Sequence, residues 1–89
     1  MENKNYALVC VNEDGYIVSI ATSKDAYKLV AKMKEEYESE LLCLEDEGIK
    51  IASSNFLNER KKAFINYGSE NYGSENSYFW EIKETVNLD

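Results

Sequence analysis

The sequence predicts an α+β fold: a three-stranded antiparallel sheet in the order 2-1-3, one long helix and a second, shorter helix, with topology β-β-α-α-β. Three observations carry this expectation. Two apolar runs, residues 6–11 (YALVCV) and 16–21 (YIVSIA), flank an Asp14–Gly15 turn signal. Residues 23–47 repeat apolar positions at steps of four and three, the 3.6-residue period of an amphipathic helix. Near the end, Tyr78, Trp80 and Ile82 alternate with Phe79, Glu81 and Lys83, the two-residue period of a strand with one buried face. A length of 89 residues with 44% apolar content suits a single domain, residues 1–89, with a modest core.

Residues 6–11 are a continuous run of strand formers, the pattern of a central strand. Asp14–Gly15 reads as a two-residue type I′ loop, which pairs Val11 with Val18 and Val9 with Ile20 on one face. That face is the expected seat of the long helix. The opposite face holds Tyr6, Leu8, Cys10 and Ile17 and is apolar as well, so it needs cover from the second helix or from another subunit. The second helix is the preferred cover, which gives a monomer.

The long helix carries Ala26, Val30, Met33, Tyr37, Leu41 and Leu44 on one stripe. Thr22 or Ser23 is placed to cap its start, Asp25 puts an acid in its first turn, and Gly48 is a left-handed stop. Twenty-five helical residues span about 37 Å, against about 30 Å for a globule of this size. Either the helix breaks near Ser39 or its far end overhangs the body. That far end is acidic. Glu35, Glu36, Glu38, Glu40, Glu45, Asp46 and Glu47 follow one another without a base, and with 17 acids and 10 bases in the chain these seven account for the net charge of −7. Lys24, Lys28, Lys32 and Lys34 occupy the first half, so the charge order opposes the helix dipole at a few tenths of a kcal/mol per choice.

Residues 49–52 are either an extended connector or a small strand. Residues 55–66 read as the second helix, capped by Ser53 or Ser54, with Phe56, Leu57, Ala63 and Phe64 on one face and Gly68 as its stop. Its Arg60-Lys61-Lys62 cluster reads as a solvated helix side. Residues 66–77 hold a tandem NYGSE repeat and read as a flexible polar loop, in which Tyr67 and Tyr72 have the company of adaptable binding loops. Residues 77–88 close the chain as a strand antiparallel to residues 6–11, with Tyr78 and Trp80 in the core and Val86 and Leu88 in the same phase.

The chemistry is narrow. With no His, the usual triads and the usual neutral-pH base are missing. No phosphate-binding glycine loop is present, and Cys10 and Cys43 lack metal-ligand spacing. Residues 12–15 (NEDG) start like a calcium loop, but its alternating ligands do not follow. No enzyme activity, metal or other cofactor is therefore expected. Both cysteines sit in apolar settings and read as buried, reduced thiols. No signal peptide and no apolar run of about 20 residues is visible, so a cytoplasmic location without membrane contact is expected. The negative charge argues against direct contact with nucleic acid and for a protein partner with a basic surface or groove.

The hairpin YALVCVNEDGYIVSIA, the helix start TSKDAYKLVAKMKEEYE and the strand YFWEIKET together resemble small proteins of phages and mobile elements in low-GC bacteria. Those pair a short hairpin with one helix and a final Tyr-rich acidic strand. The resemblance is one of pattern, and residues 49–76 depart from it. It implies a counter-defence inhibitor of the anti-CRISPR kind, some of which mimic DNA, acting in the cytosol of a bacterial host; it assigns no residue. The resulting expectation is a non-enzymatic inhibitor that binds a host or defence protein through Glu35, Glu36, Glu38, Glu40, Glu45, Asp46 and Glu47, with Tyr67 and Tyr72. Carboxylates on successive helical turns stand about 5–6 Å apart, close to phosphate spacing, so a basic groove would accept Glu36, Glu40 and Glu47 in place of phosphates. Its rivals are a structural or regulatory homodimer whose acids serve only solubility, and a nucleic-acid binder using Arg60, Lys61 and Lys62 with Tyr67 and Tyr72.

Overall fold

The computed structural model describes residues 4–68 and 75–85. Its first two strands, β1 (Asn5–Asn12) and β2 (Ile17–Ser23), form the expected antiparallel hairpin, and Val9 faces Ile20. The loop between them is longer than the two residues anticipated. The Gly15 N–H donates to the Asn12 carbonyl at 3.0 Å, the Asn12 N–H donates to the Tyr16 carbonyl at 3.0 Å, and Gly15 takes φ +82°. This is a type I turn closed by a left-handed glycine, the three-residue hairpin loop. The Asn12 side chain reinforces it by accepting from the Asp14 and Tyr16 N–H groups, each at 3.0 Å. The extra residue shifts the register, so Val11 meets Ile17 and not Val18.

The long helix, α1 (Ala26–Asp46), is unbroken at Ser39. Asp25 is its N-cap, in place of Thr22 or Ser23, and its carboxylate accepts from the Tyr27 N–H at 2.9 Å. Gly48 ends it as expected: at φ +73° its N–H donates to the Glu45 carbonyl, and the Ile49 N–H reaches back to Leu44 at 2.9 Å. That pair of bonds is the Schellman motif. Leu29, Met33 and Leu44 are buried and Val30, Tyr37 and Leu41 pack beside them, so the acidic end stays seated on the body and does not overhang.

The second helix does not form. Residues 55–66 fall instead in a hairpin of β3 (Lys50–Leu57) and β4 (Lys62–Gly68). Period two prevails over period 3.6 here: Ala63 and Ile65 are buried while Lys62, Phe64 and Asn66 face the other way. A four-residue turn joins the strands, with the Arg60 N–H on the Leu57 carbonyl at 3.1 Å and Lys61 at φ +54°. The last strand, β5 (Glu75–Thr85), lies between β1 and β4. The sheet is therefore five-stranded and antiparallel in the order β2-β1-β5-β4-β3, with one helix, and the expected three-stranded sheet with two helices is incorrect. Both ends of the expected 66–77 loop are strand: Asn66, Tyr67 and Gly68 pair with Ser77, Asn76 and Glu75. Val86 and Leu88 lie outside the described residues.

The helix also covers the other face from the one expected. Across the sheet, Leu8 pairs with Ile82, Cys10 with Trp80, and Trp80 with Ala63, and these side chains are buried under α1. Val9 pairs with Glu81 and Ala7 with Lys83, so charges fall on the Val9 face. Burying Glu81 and Lys83 costs far more than leaving two valines half exposed, and this decides which face turns to water. Both side chains stay outside, where Lys62 and Lys83 approach Glu81 at 3.9 and 3.8 Å. No described helix is long and apolar enough to cross a membrane.

The β3–β4 turn supplies a test whose sign separates hairpin from helix. A lysine held at positive φ costs about 1 kcal/mol relative to glycine. Lys61→Gly should therefore leave stability unchanged or raise it by up to about 1 kcal/mol in urea denaturation. Inside a helix the same change would lower stability by about 1 kcal/mol.

Candidate functional site

The seven carboxylates of α1 divide into two sets. Glu35, Glu38, Glu45, Asp46 and Glu47 are exposed, whereas Glu36 and Glu40 turn toward the sheet and are half-buried. The division follows from the helical period, since Glu36 and Glu40 neighbour the buried Met33 and Leu44 and the half-buried Tyr37. Among the exposed acids stands Leu42, 63% exposed, one turn from Glu38, Glu45 and Asp46. None of the seven carboxylates has an ion-pair partner among the described residues. The acidic surface is thus a ridge with one apolar knob.

Beneath the ridge lies a groove of about 200 Å³ between α1 and the β2 side of the sheet, lined by Cys10, Ser19, Glu36, Glu40, Tyr78 and Trp80 among others. The Ser19 hydroxyl donates to Glu36 Oε1 at 2.9 Å. Glu36 Oε2 and Trp80 Nε1 are both buried and have no hydrogen-bond partner among the described residues. Burial, then Glu47, then Glu36 raise the pKa of Glu40. The Cys10 thiol is pushed up to about 12 by burial first and by Glu36 and Glu40 next, so it stays protonated at neutral pH. The groove therefore pairs two carboxylates without an activated nucleophile, and its field favours a positively charged group. Among the described residues no group of three or more His, Cys, Asp or Glu is placed to hold a metal ion.

The remaining expected site residues lie elsewhere. Tyr67 is half-buried in β4, its ring stacked on Tyr78 at 5.7 Å, and burial together with its hydrogen bond to Tyr78 raises its pKa. It starts an aromatic chain that runs through Tyr78 and Trp80 to Tyr37 and Phe56 beneath α1. Tyr72 lies outside the described residues. Arg60 and Lys61 occupy the β3–β4 turn, and Tyr67 is at the far end of β4, five residues beyond Lys62 or about 17 Å. The basic cluster and Tyr67 are not one surface. Cys43, expected to be buried, is exposed. Leu42 and Ser19 were not anticipated as site residues. Leu42 was visible in principle, as an apolar residue off the Leu41–Leu44 stripe; Ser19 needed the strand register.

No known protein family, curated protein or solved structure matches this chain. The functional reading therefore rests on the residues themselves.

Two measurements follow from the groove. At neutral pH an alkylating reagent should modify only Cys43 in the folded protein and both thiols in denaturant; rapid native labelling of Cys10 would mean the groove opens. For Glu40, a raised folded-state pKa means the native protein holds this proton more tightly than the unfolded chain. Its contribution to stability thus improves as pH falls from neutral toward that pKa and worsens as pH rises. Glu40→Gln should stabilise the protein at neutral pH and flatten its urea-denaturation stability between neutral pH and the ordinary carboxylate pKa of 4.5. An unchanged slope would show that Glu40 is solvated like an ordinary carboxylate.

Proposed function

We propose that this protein is a non-enzymatic binding module whose α1 ridge docks on a basic surface of a protein partner and so inhibits it. The observation that carries the reading is the ridge of Glu35, Glu38, Glu45, Asp46 and Glu47, without an ion-pair partner among the described residues, around the exposed Leu42. Charge of one sign steers association, and an apolar side chain at its centre supplies the desolvated contact on which affinity depends. The acids lie where they oppose the helix dipole, a placement that helix stability does not favour. Counter-defence inhibition in a bacterial cytosol, of the anti-CRISPR kind, is the form suggested by the resemblance to phage and mobile-element proteins. A basic groove that normally holds nucleic acid is then the surface to be blocked. Because Glu36 and Glu40 turn inward, the outward carboxylates left for this reading are Glu35, Glu38 and Glu45, with Leu42 between the last two.

The test uses immobilised protein and a bacterial lysate. Proteins retained by the wild type at low salt should be released as salt rises and as DNA is added. The combined variant Glu35→Gln, Glu38→Gln, Glu45→Gln, Glu47→Gln keeps size and helix propensity and should lose about tenfold or more in affinity for the captured partner, or about 1.4 kcal/mol. Leu42→Ser should weaken binding without changing its salt dependence. Undiminished binding by the fourfold variant at low salt would leave the acids as solubility aids.

A further inference from the structure

The two edges of the sheet are protected unequally. β3 begins with Lys50 and has a register irregularity after Ile51, and both features discourage pairing with another strand. β2 has neither charge nor proline over Ile17–Ser23, and Ile17, Val18 and Ile20 are 62%, 54% and 62% exposed. Among the described residues no strand pairs with its outer side. An uncharged, apolar free edge is a template for a further strand.

Above this edge α1 carries an ordered set of charges. The helix starts just beyond Ser23 and turns back along β2, since Glu36 reaches Ser19. Lys28, Lys32, Glu36 and Glu40 recur at steps of four, two cations followed by two anions; a row at that spacing turns about 40° per step, so it winds from the exposed side of α1 at Lys28 to the β2 flank, where Glu36 and Glu40 line the groove with Ser19. Successive members are about 6 Å apart along the axis, which is about two strand residues. With Glu36 over Ser19, Lys32 stands over Ala21, and Ile20 lies midway.

We propose that β2 is a homodimer interface: two copies pair β2 with β2 antiparallel about a two-fold axis near Ile20, joining their sheets edge to edge. That axis sets Lys32 of each copy level with Glu36 of the other, and Lys28 level with Glu40. The ridge is therefore self-complementary, as an isologous contact requires, whereas parallel pairing would set like charges level. Both helices then lie on one face of the joined sheet, and the two grooves at Ser19 and Glu36 face each other across the axis. Complementary charge fields of this kind align the register of an otherwise uniform strand pair. The joint contact offsets the repulsion between two chains of charge −7. Glu38, Leu42 and Glu45 lie on the other flank of α1, so that part of the partner-binding ridge stays free in each copy, whereas Glu35 lines the groove at the interface; this interface stands independently of that reading.

Sedimentation velocity on the full chain decides. A concentration-dependent dimer is expected, with dissociation in the micromolar range. Val18→Lys places a charge on the free edge at an exposed site and should weaken the dimer about tenfold or more while the circular dichroism spectrum and melting temperature hold. Lys32→Glu should weaken it, and adding Glu36→Lys should restore it, because the resulting order is again self-complementary; a merely structural role for either residue predicts no such rescue. A protein that stays monomeric at about 100 µM overturns the proposal. So does a dimer that Val18→Lys leaves intact, including one disrupted instead by Phe64→Lys on the open sheet face. Should Phe64→Lys fail to fold, the Val18→Lys result stands alone as the decision.

Discussion

One helix has to cover one face of a five-stranded sheet, and most features of this protein follow from that mismatch. Five strands spaced about 4.8 Å apart make a sheet roughly 24 Å wide, whereas a helix with its side chains is about 10–12 Å across. The remaining width is filled by large side chains reaching sideways. Tyr37 meets Phe56 at 5.7 Å on one flank and the edge of Trp80 at 6.0 Å below, and Tyr67, Tyr78 and Trp80 continue the layer. Rings bury more area per residue than aliphatic chains, so they extend a thin core economically. Toward β2 that filling is missing. Ser19, Glu36 and Glu40 stand there instead, and the groove is the gap they leave.

The uncovered face follows the same logic. Antiparallel sheets tolerate one wet face when its apolar side chains shelter one another. Val11 pairs with Phe79 and Phe79 with Phe64, all half-buried, and the next row across is closed by Lys62, Glu81 and Lys83. Exposed ion pairs of this kind contribute up to about 1 kcal/mol; their value here is to mark the face as wet. No second layer is needed, and the monomer argued from a second covering helix loses its premise.

How much of this was legible depends on which side chains carried the signal. The amphipathic stripe of α1 and the glycine stop at Gly48 were readable because their determinants are local: a period and a conformation only glycine adopts cheaply. The hairpin at residues 58–61 was hidden because Phe56, Leu57, Ala63 and Phe64 fit a helical face as well as they fit two strands. Pairing with Phe79 and Trp80, far away in sequence, selects the strands, and no local pattern contains that information. The covered sheet face was misassigned for a related reason. Reading the hairpin alone favours Val9 and Val11, and only the register of β5 sets Glu81 and Lys83 beside them. Within the site, the position and sign of the acids were plain, but the inward turn of Glu36 and Glu40 required knowing which flank of α1 the aromatic residues fill.

The order of charges along α1 can now be weighed against its structural cost. Lysines early and acids late oppose the dipole; the Asp25 cap relieves it at the start, but no acid in the first turn proper or base in the last turn adds to that. Each choice costs a few tenths of a kcal/mol, whereas burying Leu29, Met33 and Leu44 contributes about 1.5–3 kcal/mol per side chain. Tertiary packing therefore holds this helix, and its outer residues are free of any duty to propagate it. A surface released in that way can follow another requirement. The outermost acids surround Leu42, and in the proposed dimer the Lys28-Lys32-Glu36-Glu40 row serves the edge that carries no charge of its own. A dipole-favoured order, acids first, would also be self-complementary in an antiparallel pair, but it would remove negative charge from the end where Glu45, Asp46 and Glu47 gather. Concentrating the acids at the late end accepts a small loss of helix stability and gives the molecule one strongly negative pole, which is the property that long-range attraction to a basic surface depends on.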